Sequence, residues 1–531
     1  MERKKVLLVG LDGAPYDLVR RWTESGDLPN LRELVRGGAF GVLRSEIDET
    51  PPAWSSIYTG KNPGKHGVFD FEFQRPGAHE FTPINATQRD GKDIWEVLSE
   101  QGLRVGVLNA PIAYPPRKVN GVLVAGFLTP GEQVAYTFPE GLQAELKAAV
   151  PGFRHSSADE MQLNLQKEKY VQAIYDKVEN LGKAASYLIG RDSFDFFSLI
   201  LSETDHVQHW FWDKMEDREG EYADVVFKTY QAADRVLGDV MEAYSKDAHV
   251  MVVSDHGATR LRRLFHINYF LYSIGMLKFK PSLPTRAKRW SYSLGVTEAL
   301  FRLVALTRVY PLRILLRPLS LTLKDVDWKT TRAYSFGYGQ IYLNREREEG
   351  RASEAPGEEV RTAIVRALLE VVDKETGAKP VVRAARREEL FSGPHTGEAP
   401  DIRVFMAEGY EAFPWASISD RVFSPNTSRS GTHNSRGVLI LKGEGVREGP
   451  VEGAAVTDVA PTILYLMGLP VPSEMDGHVL EQAFTEGHLR SNPPRVGEPE
   501  GRADQQAKKE YSLSADEEAV IEKNLRSLGY L

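Results

Sequence analysis

The 531-residue chain contains no cysteine. That absence excludes disulfides, thiolate metal sites and a cysteine nucleophile together. No run of eighteen or more apolar residues occurs either, so no segment has the length of a spanning helix. An excess of basic residues is also lacking. Lys and Arg number 66 against 74 Asp and Glu, a formal charge of −8, which leaves no electrostatic footprint for nucleic acid. Internal repeats are not evident. What is present is an ordinary globular composition, 42% hydrophobic and 26% charged. The length suits two or three domains, or one large core with a substantial insertion.

The opening MERKKVLLVGLDG is basic and then apolar, but VLLVGL is too short for the apolar region of a secretory signal, and Asp12 interrupts it. It reads as a buried first strand, and the expected location is the cytoplasm. Further strand-like runs are RVGVLNA (104–110), VNGVLVAGF (119–127), FDFFSLIL (194–201), HVMVVS (249–254) and GVLILKG (437–443). Helix-like segments at about 159–189 and 221–245 lie between them, spaced as helical periodicity requires. This alternation predicts an α/β fold with a largely parallel sheet.

Residues 281–324 differ in character. They hold eight Lys/Arg against one acid, Glu298, within long apolar stretches. A helical cap packed on the main domain is one reading. A surface helix making weak contact with anionic lipid or a large amphipathic substrate is the other. Residues 490–512 read as a polar linker. SADEEAVIEKNLRSLGYL then forms a terminal helix, with Ser514 and Glu517 as a capping box and Gly529 as its stop.

Three of the strands run into metal-ligand residue types. VLLVGL leads to Asp12. FDFFSLIL leads to SETDHVQHW, with Asp205, His206 and His209. HVMVVS leads to Asp255 and His256. Sites in open α/β sheets form at the carboxyl ends of strands, so the three clusters can converge on one crevice. Asp205 and His209 are four apart and share a helix face. His433, on the glycine-bounded loop of SGTHNSRGVLILKG, can add an imidazole. Oxygen and imidazole ligands suit zinc or manganese. Each cluster alone also has a bland reading, as a helix cap, a solvated helix end or a hydrogen-bonded pair.

The stretch ETPPAWSSIYTG (49–60) raises a related choice. Thr50 reads as a helix N-cap with Pro51 at the first helical position. A threonine hydroxyl is a weak nucleophile unless an ion or base activates it. Two ions about 4 Å apart can clamp the attacking and leaving oxygens of a phosphoryl transfer. A helix N-terminus adds a field that favours the anion. The capping and nucleophilic readings of Thr50 are therefore compatible.

The ordered motifs LDG (11–13), TPPAWSSIYTGKNPGKHGVFDF (50–71), ETDHVQHW (203–210), VVSDHGA (252–258), the THN loop around 433 and DVAPTILYLMGLPVPSEMDGHVL (458–480) carry a resemblance. The chain resembles the alkaline phosphatase superfamily, in its type I phosphodiesterase/nucleotide pyrophosphatase branch, over roughly residues 5–480. The resemblance implies a three-layer α/β/α sandwich with a largely parallel central sheet. It further implies a centre of two divalent ions, zinc with manganese as the alternative. By position, Asp12, Asp255 and His256 would bind the ion that activates Thr50, so that Thr50 is both nucleophile and ligand. Asp205, His209 and His433 would bind the other ion. His206 is not a ligand in this mapping and is expected beside the ligands or in solvent.

The sequence departs from the nucleotide pyrophosphatase pattern at Pro51 and Ala53, where the branch carries an aromatic residue and an asparagine. Neither replacement offers the lost contact. Trp54, Ser55, Lys65 and His66 are nearby candidates to compensate.

The resulting expectation is a metal-dependent phosphohydrolase, a phosphodiesterase or pyrophosphatase acting on a small phosphoester through a phosphothreonine. A phosphotransferase to a lipid or glycan acceptor uses the same residues. A non-catalytic binding protein on the same fold is the reading from another class. A sulfatase is disfavoured because the chain has no cysteine to oxidise. The expected organisation is a catalytic core at 1–261, an inserted cap at 262–428, the rest of the core at 429–489, and a linker with terminal helix at 490–531. HINYFLYSIGMLKF (266–279) and SFGYGQIYLN (335–344) are candidate pocket walls, although packing of the cap on the core explains them equally well.

Overall fold

The computed structural model describes residues 4–74, 81–155, 167–294, 296, 300, 321–344, 355–413, 421–426, 429–499 and 513–528. Several expectations fall outside these: the start of the helix at 159, most of the basic stretch between 295 and 320, the middle of the linker, and Gly529. Among the described residues the central sheet has nine strands. At its centre His249–Val253, Val6–Leu11, Phe196–Leu201 and Val105–Ala110 lie side by side, all parallel. Each is buried at every position, as continuous apolar runs covered on both faces must be. Gly121–Ala125 extends the parallel set, and Thr137–Phe138 closes that edge antiparallel.

On the other side Arg436–Lys442 runs antiparallel between His249–Val253 and Ala39–Arg44. Because it is reversed, its amino end lies at the edge where its neighbours have their carboxyl ends. His433, just before it, is thereby brought to the same edge as Asp12, Asp205 and Asp255. Ala39–Arg44 runs with the majority and delivers the chain toward Thr50 at that edge.

Helices flank the sheet in two packed groups. Pro29–Arg36, Lys167–Arg191, Glu203–Asp217 and Val225–Tyr244 form one. Thr50–Thr59, Ile94–Glu100 and Val459–Leu466 form the other. No helix among the described residues is long and apolar enough to cross a membrane.

A second apolar cluster, including Phe265, Leu271, Ile341, Ile364 and Val404, is drawn from residues 265–423, whereas the main core uses residues 6–258 and 438–525. It is built on two small sheets, one around Arg263–His266 and one of four strands including Gln340–Leu343 and Ile402–Met406. The two chain crossings between the clusters are zipped together. Gly257–Arg260 pairs antiparallel with Gly431–Asn434, setting Ala258 opposite His433. At the far end the Ser514–Glu517 capping box forms, with Ser514 Oγ and Glu517 Oε2 2.9 Å apart.

One element starts differently from its sequence reading. The helix Thr50–Thr59 includes Thr50 as its first residue, and Glu49 occupies the cap without a side-chain bond. Pro51 and Pro52 have no N–H, and the Ala53 N–H donates to the Glu49 carbonyl at 3.1 Å. The first turn therefore presents only the N–H of Thr50 itself, less than an ordinary helix N-terminus offers an anion.

The helix sits against the first strand at Gly10, where an added Cβ would lie 2.4 Å from Trp54 Cη2 and 2.5 Å from Ile200 Cδ1. Gly10→Val is therefore expected to cost about 1–3 kcal/mol by overpacking and to shift Trp54. Denaturant unfolding with near-ultraviolet dichroism checks this, and wild-type values in both would refute the close approach.

Candidate metal centre

Two sets of three side chains that could each hold a metal ion gather at the carboxyl edge: Asp12, Asp255 and His256 in one, and Asp205, His209 and His433 in the other. In the first set His256 Nε2 lies 3.3 Å from Asp255 Oδ2 and 3.7 Å from Asp12 Oδ1. Thr50 Oγ1 stands 3.3 Å from the same nitrogen. In the second, Asp205 has Oδ2 3.1 Å from His209 Nε2 and Oδ1 3.6 Å from His433 Nε2. Bonds of about 2.0–2.1 Å from a tetrahedral ion put its ligand atoms about 3.3 Å apart. Both sets have that spacing. The imidazoles of His256 and His433 stack at 3.7 Å between centroids, so the sets adjoin.

The tautomers favour cations here. Nδ1 of His256 faces the Gly257 carbonyl at 3.0 Å, that of His209 the Gly431 carbonyl at 3.1 Å, and that of His433 the Asp48 carbonyl at 2.8 Å. A carbonyl oxygen only accepts, so each Nδ1 carries the proton and each Nε2 presents a lone pair. Nε2 of His209 and of His433 nevertheless face each other at 3.1 Å. Two lone pairs at that distance repel unless a cation lies between them. Asp12 Oδ1 and Asp255 Oδ2 are buried and accept no hydrogen bond.

Charge balance says the same. Burial, then the neighbouring Asp255 and Asp205, raise the Asp12 carboxyl well above its usual range. Burial pushes Asp255 up to about 6 against the opposing pull of His256. Asp205 is also buried, but His209 and His433 outweigh burial and hold it low. Burial and the adjacent His256 lower His433. Three carboxylates and three imidazoles in a dry cluster fit divalent ions, whose binding would displace protons from the carboxyls.

Neighbouring side chains hold the ligands. Trp54 Nε1 donates to Asp12 Oδ2 at 3.0 Å. The Gly13 N–H donates to Asp255 Oδ1 at 3.2 Å. Thr204 Oγ1 donates to the Asp12 carbonyl at 2.6 Å, and Gln208 Nε2 to the Gly13 carbonyl at 2.9 Å, tying the helix Glu203–Asp217 to the first strand. Gly13 has φ +65°, and a Cβ there would stand 2.6 Å from Asp205 Oδ1, so this turn admits only glycine without strain.

Of the residues considered as replacements for the contacts missing at Pro51 and Ala53, Trp54 is turned to Asp12. Lys65 is bound to Asp476 at 2.6 Å and to the Glu474 carbonyl at 2.8 Å. His66 is paired with Ser56 Oγ at 3.0 Å, and Ser55 is buried in the helix. His206 belongs to neither ligand set. It is buried rather than in solvent, edge-on to Phe127, and burial pushes it down to about 4.

Residues not singled out as site residues in the sequence border the centre. Arg403 forms an ion pair with Glu49, lies 3.5 Å from Asp48, and donates to the Tyr338 carbonyl. Arg429 pairs with Glu411, which also accepts from Thr432 Oγ1 at 2.6 Å. These groups line a cavity of about 300 Å³ that reaches His433. Of the candidate walls, Tyr338 and Gly339 line it. The 266–279 segment is absent from its lining.

The mostly parallel sheet flanked by helices, with carboxylates and imidazoles gathered at its carboxyl edge, is an α/β fold of the alkaline phosphatase type. Within that class the chain belongs to the type I phosphodiesterase / nucleotide pyrophosphatase family, whose model matches residues 6–413. That family is one of metal-dependent phosphoester hydrolases.

Phosphonoacetate hydrolase from Sinorhizobium meliloti 1021, in complex with phosphonoacetate, shares the fold with a TM-score of 0.56 at 15% identity, over 88% of this chain and 95% of that one. Human ectonucleotide pyrophosphatase / phosphodiesterase 5 aligns with a TM-score of 0.50 at 12% identity, over 92% of this chain and 99% of that one. A 2,3-bisphosphoglycerate-independent phosphoglycerate mutase from Salinibacter ruber (strain DSM 13855 / M31) is 37% identical over 119 residues. That match spans 22% of this chain and only 18% of the mutase.

Trp54→Phe keeps the packing and removes the bond to Asp12. It is expected to lower metal affinity about 10–100-fold, measured by competition with a chelator. Unchanged affinity would mean that the indole does not orient the carboxylate.

Proposed function

We propose that the chain is a phosphodiesterase or pyrophosphatase that cleaves the P–O bond of a small phosphoester through a phosphothreonine on Thr50. The observation that supports this best is the placement of Thr50 Oγ1, 3.3 Å from His256 Nε2, at the spacing of a fourth ligand in the Asp12–Asp255–His256 set. Two divalent ions, zinc by the ligand types with manganese as the alternative, would supply positive charge to the phosphoryl oxygens and lower the pKa of a hydroxyl.

Within that centre Asp12, Asp255 and His256 hold the side where Thr50 loses its proton and attacks phosphorus. Asp205, His209 and His433 hold the side from which the leaving oxygen departs with the bonding electrons. Water then attacks the phosphothreonine, releasing phosphate or its monoester and restoring the hydroxyl. Burial of Thr50 and of the ligands on either side limits competing access of solvent to the reacting group.

The partial likeness to a phosphoglycerate mutase favours a second reading, transfer of the phosphoryl group to an acceptor other than water, such as a lipid or glycan. A purely binding role is disfavoured, because all six ligands and the hydroxyl are retained in mutual reach.

Hydrolysis of a chromogenic phosphodiester and its monoester, with zinc or manganese, is the test. Chelation is expected to abolish turnover and readdition of metal to restore it. Thr50→Ala is expected to lower kcat by at least about a thousandfold with metal stoichiometry preserved. Full activity in Thr50→Ala would refute the threonine intermediate. Release of the chromophore only when an alcohol acceptor is supplied, with the phosphoryl group recovered as the acceptor's ester and not as free phosphate, would favour transfer.

A further inference from the structure

Among the described residues eight large hydrophobic side chains stand exposed, and four of them, Leu283, Trp290, Leu294 and Val296, fall within fourteen consecutive positions. Three of these share one stripe. The helix Leu283–Ser293 is followed by Leu294, whose N–H still donates to the Trp290 carbonyl at 3.0 Å. Positions i, i+7 and i+11 of a helix lie nearly in line. Leu283, Trp290 and Leu294 therefore form a single ridge, 80%, 69% and 56% exposed.

The opposite face anchors the helix. Thr285 is buried and donates to Asp325 Oδ1 at 2.9 Å, and Lys288 pairs with Asp325 at 2.9 Å. Arg289 is held over the rings of Tyr272 and Phe279, at 4.9 and 5.4 Å from their centroids. Arg286 stands exposed beside the ridge. The stretch 281–324 carries eight Lys/Arg and one acid in a chain whose formal charge is −8, so this basic character is local.

We infer that this helix is an interfacial anchor that seats the Leu283–Trp290–Leu294 ridge in the surface of an anionic phospholipid bilayer. Three observations select lipid over another occupant. Tryptophan beside aliphatic side chains, with the exposed Arg286 at the flank, matches the layered polarity of a bilayer surface. The local charge complements anionic headgroups, each Lys or Arg near the surface strengthening binding about fivefold. Three side chains expose at most a few hundred Å², far below the roughly 1,200–2,000 Å² of a specific protein interface, whereas shallow lipid insertion needs no matching surface. The anchor is independent of the phosphothreonine reading, and it would hold the enzyme at the membrane whatever ester it cleaves.

The test is cosedimentation of the full-length, metal-loaded protein with phosphatidylcholine vesicles made with and without phosphatidylserine. Binding is expected to be at least about tenfold tighter to the anionic vesicles and to fade at high salt. The double variant Trp290→Ser/Leu294→Ser is expected to lose about tenfold or more of that binding, and Arg286→Glu about fivefold or more. These side chains are exposed, so the fold does not depend on them, and the two variants give independent readings. Equal partition to neutral and anionic vesicles overturns the inference, as does wild-type binding by the double variant. A dimer in sedimentation that the double variant dissolves would overturn it in favour of a second copy of the chain.

Discussion

Three buried carboxylates and three inward-facing imidazole lone pairs are held within reach of one another, and that arrangement is unfavourable in the protein alone. Asp12 and Asp255 are each pushed up by burial, and Nε2 of His209 meets Nε2 of His433 at 3.1 Å. Groups so placed separate or protonate unless something keeps them in position. The sheet does the keeping. Three adjacent parallel strands end at Asp12, Asp255 and the turn before Asp205, so the carboxylates are spaced by strand separation rather than by loops. Backbone carbonyls fix all three imidazole tautomers. The edge is thus a preformed, electron-rich cluster whose residues fit divalent charge.

The reversal of Arg436–Lys442 follows from the same requirement. A parallel strand in that position would put its amino end, and with it His433, on the far side of the sheet. The antiparallel run, and the pairing of Gly257–Arg260 with Gly431–Asn434, are what bring the imidazole of His433 beside that of His256. Some 170 residues can lie between the two because the cost of closing a loop grows only with the logarithm of its length, and the ladder that joins entry and exit offsets it.

Much of this was legible in the sequence. The continuous apolar strands were, because a strand buried on both faces has a pattern that survives without partners. Val6–Leu11 and Phe196–Leu201 show it. The ligand types at their ends were visible for the same reason. Ala39–Arg44 and Gly449–Ala455 escaped because they alternate, carry glycines and sit toward the sheet edge, where local pattern is weak. The Thr50 helix was placed one residue late, since two prolines fit the first turn in more than one register. Trp54 was one of four candidates for a phosphate contact, and its indole is turned to Asp12, 42 positions away. No periodicity encodes a contact of that kind. The same holds for Arg403 and Glu49, which are separated by 354 positions.

That last pair also ties residues of the second cluster's sheet to the segment that carries Thr50. Glu49 immediately precedes Thr50, and the carbonyl of Asp48 fixes His433, so the segment 48–50 touches both ligand sets. Arg403, from the insertion's four-stranded sheet, grips this segment through Glu49 and approaches Asp48 at 3.5 Å. It lies in a cavity wall that reaches the centre, with Glu411 and Arg429 nearby. A buried ion pair of this kind adds little net stability over an apolar contact, but losing one partner strands a charge in the interior. Its effect is therefore geometric. The insertion cannot shift without moving the backbone that carries Thr50 and the carbonyl that orients His433. The segment that Arg403 grips thus carries both the Thr50 hydroxyl and the carbonyl that faces one imidazole.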